Sequence, residues 1–343
     1  ASFALIYHGL FYPHTLGAFI QSGIIGLLLG FTSGIFEEYL LKDFFRRRPF
    51  TNALLLRTIL YAVIATIALM TVLTIIPFML GKCPHKTCFL AYFGDYTFLQ
   101  DLAFSLLIIF LTTLNVQIFL LIGVQNMRRL LTGQFHQPRE ISATFLFADI
   151  RNSTTLAEQL GNWQFSNLLS DFFNDVSDAI CQAKGEIYQY VGDEVIIVWP
   201  DNAPRHSFKW LDCFMGMQKS IAQRAHYYQK KYGVIPEFKA GVHRGLVIAS
   251  EIGVQQKAYV YHGDILNTAA RLQAKCNEVG FDLLASKKVI ATLSLQQRSD
   301  FESIGTLALK GKQEKVVAYG FCRRRDLGKK NNSFKRNAHL RAV

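Results

Sequence analysis

Two aspartates raise the first chemical question. Asp149 closes the apolar run ATFLFADI (143–150), and Asp193 sits at the turn of GEIYQYVGDEVIIVWP (185–200). Strand-forming residues flank Gly192-Asp193 on both sides, so the second segment reads as a hairpin with an acidic tip. A polar tip is ordinary in a hairpin. In a strand–helix–hairpin unit, however, the first strand lies beside the hairpin, so the two acids can converge across 44 residues of chain. Two carboxylates at adjacent strand ends form a hard oxygen site, suited to Mg²⁺ or Mn²⁺ with a triphosphate. Two such ions can hold the attacking and leaving oxygens of a phosphoryl transfer. The residues after Asp149 open a helix, whose free N–H groups can receive phosphate oxygens. Asn152, Ser153 and Thr154 are therefore candidate nucleotide contacts.

A second group is NTAAR, in which Asn267 and Arg271 are four residues apart and share one helix face. A solvent-facing pair is the ordinary reading of that spacing. The small and apolar neighbours leave room for a ligand, which Arg271 would meet with a permanently charged fork and Asn267 with a donor and an acceptor. His243 and His262 have no partners of a nucleophilic centre. Cys181, Cys213, Cys276 and Cys322 have no metal-ligand spacing and read as core or neutral thiols.

These residues need elements to position them. After the strand ending at Asp149, helical spacing runs from about 153 to 184. Leu168, Leu169, Phe172, Phe173, Val176 and Ile180 share one face, and Gly185 is the expected stop. Ser153 or Thr154 is expected to cap that helix. The hairpin comes next, then one helix over about 205–232, a strand in EFKAGVHRGLVIASEIG, a short strand AYVYHG and a helix from Asp264. A strand at 281–285, a short helix and two strands, FESIGTLAL and KVVAYGF, complete the chain's ordered part. The order is a split βαβ of ferredoxin-like type, an α+β domain.

The first third differs in composition. Half of the 343 residues are hydrophobic, and the long apolar runs lie before about residue 124. Residues 19–36, 53–80 and 102–124 are each about long enough to cross a bilayer, and 3–12 reads as the remainder of a partial first span. Lys42, Arg46, Arg47 and Arg48, and later Arg128 and Arg129, flank these runs and predict a cytoplasmic location for the domain that begins near residue 125. Cys83 and Cys88 would share the outer loop, where they could pair. Arg57 is expected to snorkel to the inner surface, and His8, His14, Glu37 and Glu38 to lie at the interface. The expected division is thus a membrane domain (1–124), a short polar link (125–140), a catalytic domain (141–322) and a basic tail (323–343). The tail holds eight Lys/Arg and one Asp, hence +7 of the net +12. It is expected to be solvated or to touch anionic lipid. No RNA- or DNA-binding motif accompanies it, so a nucleic-acid partner is not expected.

Five segments, FADIRNST (147–154), GEIYQYVGDEVI (185–196), GVHRGLVIASEIG (241–253), YHGDILNTAARLQ (261–273) and LKGKQEKVVAYGF (309–321), together resemble class III nucleotide cyclases. The resemblance implies a multi-pass enzyme of the inner membrane with a cytoplasmic catalytic domain, forming a 3′,5′-cyclic nucleotide and pyrophosphate. It implies that Asp149, Asp193 and the Ile150 carbonyl hold two Mg²⁺ or Mn²⁺ ions. By the same resemblance Asn267 orients the ribose, Arg271 stabilises charge on the α-phosphate, and Lys312 (or Lys310) holds the terminal phosphates. In that family the two residue groups come from different subunits, so a single catalytic domain implies a homodimer with composite sites.

Gln189 and Val260 occupy the positions that read the base. The family's common adenylate cyclases carry Lys and Asp or Thr there, and its guanylate cyclases Glu and Cys. An amide can meet the pairing edge of adenine or, flipped, of guanine. The absence of Glu favours ATP, with GTP the alternative. A non-catalytic dimerising scaffold remains a further reading. A diguanylate cyclase is disfavoured by the lack of a second Gly and a Phe around Gly192-Asp193-Glu194.

Overall fold

The computed structural model describes residues 49–79, 96–201, 209–255, 257–307 and 315–321, with four isolated residues before them. The chain divides into two compact units, residues 1–128 and 129–343.

In the first unit, α1 (Phe50–Met79) and α2 (Tyr96–Ile122) are long and apolar enough to cross a membrane. Leu55, Ile59, Val63, Ile67, Leu107 and Leu121 point outward along them. Between the two helices Thr58 and Thr113 share a hydroxyl contact of 3.3 Å. Arg57, expected to snorkel, is instead buried, as are Thr113 and Gln117. The segments 3–12 and 19–36, Cys83 and Cys88, and His8, His14, Glu37 and Glu38 lie outside the described residues, apart from isolated positions in 19–36.

α3 (Val124–Thr132) carries the chain into the second unit. The stretch expected as a polar link is thus helical at its start, and β1 (Arg139–Ile150) already contains Arg139 and Glu140. Between them the backbone turns tightly. Gly133 and Phe135 both have positive φ, and Phe135 is only 3% exposed. The turn places an aromatic ring inward, which a polar composition did not reveal.

The second unit follows the expected order. β1 leads to α4 (Ser153–Gln182), then to β2 (Glu186–Val191) and β3 (Glu194–Pro200). α5 (Lys209–Gln223) and α6 (Ala225–Tyr232) precede β4 (Phe238–Ile252). β3–β1, β2–β3 and β1–β4 all pair antiparallel, giving the order β2-β3-β1-β4 of a ferredoxin-like sheet. β5 (Ala258–His262) folds back on β4 as a hairpin and leads into α7 (Asp264–Val279). Among the described residues the sheet then extends through β6 (Leu283–Ser286), with α8 (Lys287–Ile290) and α9 (Leu295–Arg298) before β7 (Phe301–Leu307) and β8 (Val316–Phe321).

Strand alternation sorts the core into two sides. On one, Leu146, Ala148 and Ile150 pack with Leu168, Phe172, Val176 and Ile180 of α4 and with α5. On the other, Phe145 and Phe147 pack with Ile196, Val198 and Ile265 of α7. A tyrosine–acid network braces α6 on α4. Asp171 accepts from Tyr227 (2.8 Å), Tyr232 (2.6 Å) and Lys231 (2.8 Å), and Asp175 accepts from Tyr228 (2.7 Å).

Three local expectations change. The single helix over 205–232 is two, broken at Arg224, and residues 202–208 lie outside the described set. The capping residue of α4 is Asn152, in the left-handed region, and no side chain caps the helix. Gly185 is not a left-handed stop; Lys184 takes the positive φ. Gly185 is needed because a Cβ there would lie 2.8 Å from Ile197 and 2.9 Å from Trp199.

Candidate active site

The register of three strands builds the acidic site. Asp149 of β1 is directly opposite Glu194 of β3 on one side and Lys239 of β4 on the other. Opposed residues share a face, so all three belong to the side of Phe145, Phe147 and α7. The hairpin turn, with Gly192 at positive φ, brings Asp193 close enough to hydrogen-bond the Asp149 side chain. The two aspartates therefore meet on one side of the sheet.

A glycine brings the helix down to them. A Cβ on Gly241 would collide with the Gln273 nitrogen and the Ala269 oxygen, so α7 packs directly on the β4 backbone at this point. That approach buries Gln273, whose amide Nε2 donates to Asp149 Oδ2 at 2.7 Å. Lys239 Nζ lies 3.3 Å from the same oxygen. Neither contact was legible in sequence. Each pairs residues 90 or more positions apart, and only the strand register and the Gly241 approach join them.

The electrostatics show a site short of positive charge. Burial, then the hydrogen bond and charge of Asp193, push Asp149 up to about 6, against the pull of Lys239. Burial and the charges of Asp149 and Asp193 push Glu194 up to about 7. Like charges held together disfavour ionisation unless a cation joins them. Among the described residues no group of three or more His, Cys, Asp or Glu side chains could hold a metal ion. The acids that meet at this point are the two carboxylates of Asp149 and Asp193. That fits Mg²⁺ or Mn²⁺ chemistry, in which one or two carboxylates share the ion with substrate phosphates instead of closing a cage.

The neighbouring loop is held from outside. The Arg151 guanidinium donates to Asn277 Oδ1 (2.5 Å), the Phe281 carbonyl (2.9 Å) and Asp282 Oδ1 (2.8 Å), all at the far end of α7. Arg151 is therefore engaged away from the loop's free N–H groups. Asn152 and Thr154 are exposed and Ser153 half-buried at the start of α4.

Asn267 and Arg271 lie on α7, Asn267 exposed and Arg271 half-buried. Arg271 Nη1 is buried and has no partner among the described residues. Gln189 is exposed on β2, opposite Ile196 and hence on the face of the acids, just past a bulge. Val260 pairs with Ser250, while its neighbour Tyr261 packs with Phe145. Pleat alternation sets Val260 on the other face of β5, so within one chain the structure does not gather it with Gln189. Lys310 and Lys312 lie outside the described residues.

The remaining candidates are structural. His243 Nδ1 lies 2.7 Å from Ser286 Oγ in the interior, and His262 is exposed. Burial pushes the Cys213 and Cys276 thiols up to about 12, which leaves them neutral.

A β2-β3-β1-β4 sheet with paired aspartates at one strand end, beside a helix bearing Asn and Arg, defines a catalytic domain of the class III nucleotide cyclase type. The profile of the "Adenylate and Guanylate cyclase catalytic domain" matches residues 136–321, and the chain belongs to that family. Adenylate cyclase 2 of Rhizobium meliloti (strain 1021) is 32% identical over 197 residues, covering 57% of this chain and 54% of that protein. Adenylate cyclase 1 of the same organism is 28% identical over 183 residues, covering 51% and 27% respectively. The matched segment thus spans about half or less of these relatives. The crystal structure of the adenylyl cyclase CyaB from P. aeruginosa aligns with a TM-score of 0.48 at 22% identity, over 55% of this chain and 98% of that one.

Proposed function

We propose that this chain is a membrane-anchored adenylate cyclase that converts ATP to 3′,5′-cyclic AMP and pyrophosphate. The observation that carries the reading is the meeting of Asp149 and Asp193, with Asp149 pushed up to about 6 by burial and by its neighbour. When bound by Asp149, Asp193 and the Ile150 carbonyl, two Mg²⁺ or Mn²⁺ ions would supply charge neutralisation for the triphosphate and for the reacting oxygens.

The chain's own residues do the rest. Asn152, Ser153 and Thr154, at the uncapped start of α4, offer N–H groups to phosphate oxygens. Asn267 orients the ribose so that its 3′-oxygen lies in line with the α-phosphorus. The new bond joins that oxygen to phosphorus, the bond to the β-phosphate oxygen breaks, and pyrophosphate leaves. The 3′-proton passes to Asp149 or to solvent. Arg271, whose buried Nη1 has no partner among the described residues, stabilises the charge that grows on the α-phosphate. Lys312 holds the terminal phosphates. Gln189 reads the base.

Asp149 and Asp193 serve one copy's half of a site, and Asn267, Arg271 and Lys312 the other's, in a homodimer. That arrangement accounts for Asn267 and Arg271 making no side-chain hydrogen bond or ion pair among the described residues. Anchoring in the membrane is supported by the outward apolar residues of α1 and α2. The four-part division (1–124, 125–140, 141–322 and a basic tail near lipid) completes the reading. The names of the R. meliloti relatives favour ATP, as does the lack of a Glu at position 189.

The test is product analysis with ATP and GTP in one assay. The detergent-solubilised full chain is expected to form mainly cyclic AMP in Mn²⁺ or Mg²⁺ and nothing in excess chelator. Cyclic GMP as the main product would replace ATP by GTP. No cyclic product from either would leave the scaffold reading.

A further inference from the structure

Arg129 is outside the catalytic set, yet it is 7% exposed at the end of α3. Its Nη2 donates both to Glu186 Oε2 of β2 (2.5 Å) and to the Tyr261 hydroxyl of β5 (3.2 Å). The guanidinium lies 5.6 Å from the centre of the Phe135 ring. Phe135 belongs to the same buried cluster as Phe145 and Tyr261, and Tyr188 packs edge-on against both of these, at 6.3 and 5.2 Å.

Among the described residues β2 and β5 share no ladder: β2 pairs only with β3, at one end of the sheet, and β5 pairs with β4. One guanidinium thus bridges two strands that the backbone does not join. Both carry positions that matter to the nucleotide. Glu186 is three residues before Gln189, with the bulge between them. Tyr261 adjoins Val260 and stands two residues before Gly263, from which α7 carries Asn267 and Arg271. An edge strand is held by a ladder on one side alone, and a bulge interrupts that ladder locally, so a side-chain tie adds to what fixes its position.

We propose that Arg129 is a positioning residue for nucleotide selection, holding β2 against β5 so that Gln189 and the start of α7 meet the base and ribose together. The inference rests on the reading in which Gln189 faces the base. Both bonds leave one nitrogen, whose two N–H directions are fixed by the guanidinium plane, whereas the three donors of a Lys ammonium rotate on a flexible stem. Loss of that fixed geometry therefore loosens substrate binding more than it slows the bound substrate.

The test uses the full chain in detergent and three variants: Arg129→Lys, the matched apolar pair Arg129→Met/Glu186→Leu, and Gln189→Glu. The paired change leaves no buried charge without its partner, which is the main threat to folding. KM and kcat are measured for ATP and for GTP, alongside the thermal unfolding midpoint. The expected result for the folded double variant is an ATP KM raised about tenfold, an ATP:GTP ratio of kcat/KM moved towards unity, and little change in kcat. Arg129→Lys falls between it and the wild type, and carries the test by the same criteria if the double variant does not fold. Unchanged KM and ratio in a folded variant overturn the proposal, as does a loss confined to kcat. If Gln189→Glu shifts the ratio towards GTP while the Arg129 variants do not, only the positioning role falls. If Gln189→Glu leaves the ratio unchanged, the base-reading assignment falls and takes the positioning role with it.

Discussion

At the residue scale, the site is a small excess of negative charge held in place by backbone geometry. Asp149 is fixed by strand register, Asp193 by a hairpin turn, and Gln273 and Lys239 hold one Asp149 oxygen. The aspartates were legible in sequence because each ends or caps an apolar run. Glu194, Lys239 and Gln273 were not, because nothing local marks a residue that becomes a neighbour only through pairing. Replacement of Asp193 separates function from folding. Asp193→Asn keeps the shape of the turn but removes a charge that raises Asp149's proton affinity. Turnover is expected to fall by about 10²–10³, the scale of a lost electrostatic contact to the reacting group. The unfolding midpoint in chelator should stay level or rise, since a like-charge repulsion is gone. Activity assays paired with thermal melts check both, and a near-normal rate would remove Asp193 from the metal assignment.

At the element scale, hydrophobic period carried most of the fold. The helix face of Leu168, Phe172, Val176 and Ile180 is buried as its spacing requires. What the pattern missed are breaks and reversals that depend on packing. α4 kinks at Gly161, where φ is 72°, without interrupting the apolar stripe. The turn after α3 buries Phe135 although its neighbours are polar. The tyrosine–acid network between α4 and α6 was also invisible, because Asp171 reads as an ordinary surface acid.

That network has a pH signature. Burial opposes ionisation of Asp171, but hydrogen bonds from Lys231, Tyr232 and Tyr227 outweigh it and hold the carboxyl below its ordinary 3.8. A depressed acid contributes stability above its unfolded pKa and loses it as pH falls through the folded one. Asp171→Asn should therefore cost about 2 kcal/mol near neutral pH, the scale of hydrogen bonds to a charged group. The difference from wild type should shrink below about pH 4. Denaturant melts of both proteins across pH 3–8 check this, and a difference that persists unchanged into acid would assign the loss to packing.

At the scale of the whole molecule, the two groups of residues proposed for the chemistry have different settings. The acids are in close contact with one another and with Gln273 and Lys239, whereas Arg271 keeps a buried nitrogen without a partner among the described residues and Asn267 stands in solvent. Two copies that exchange these halves would complete both sites, and a closed two-fold dimer does so with one interface. Full chains carrying Asp193→Asn and Arg271→Ala, each with its own affinity tag, are mixed and the doubly tagged dimers assayed for cyclic AMP. Each variant alone should turn over at about a hundredth of the wild-type rate or less. The mixed dimers retain one intact site of two and should recover up to about half of the wild-type rate. Proven mixed dimers with no recovery, or either variant turning over near the wild-type rate by itself, would contradict the account.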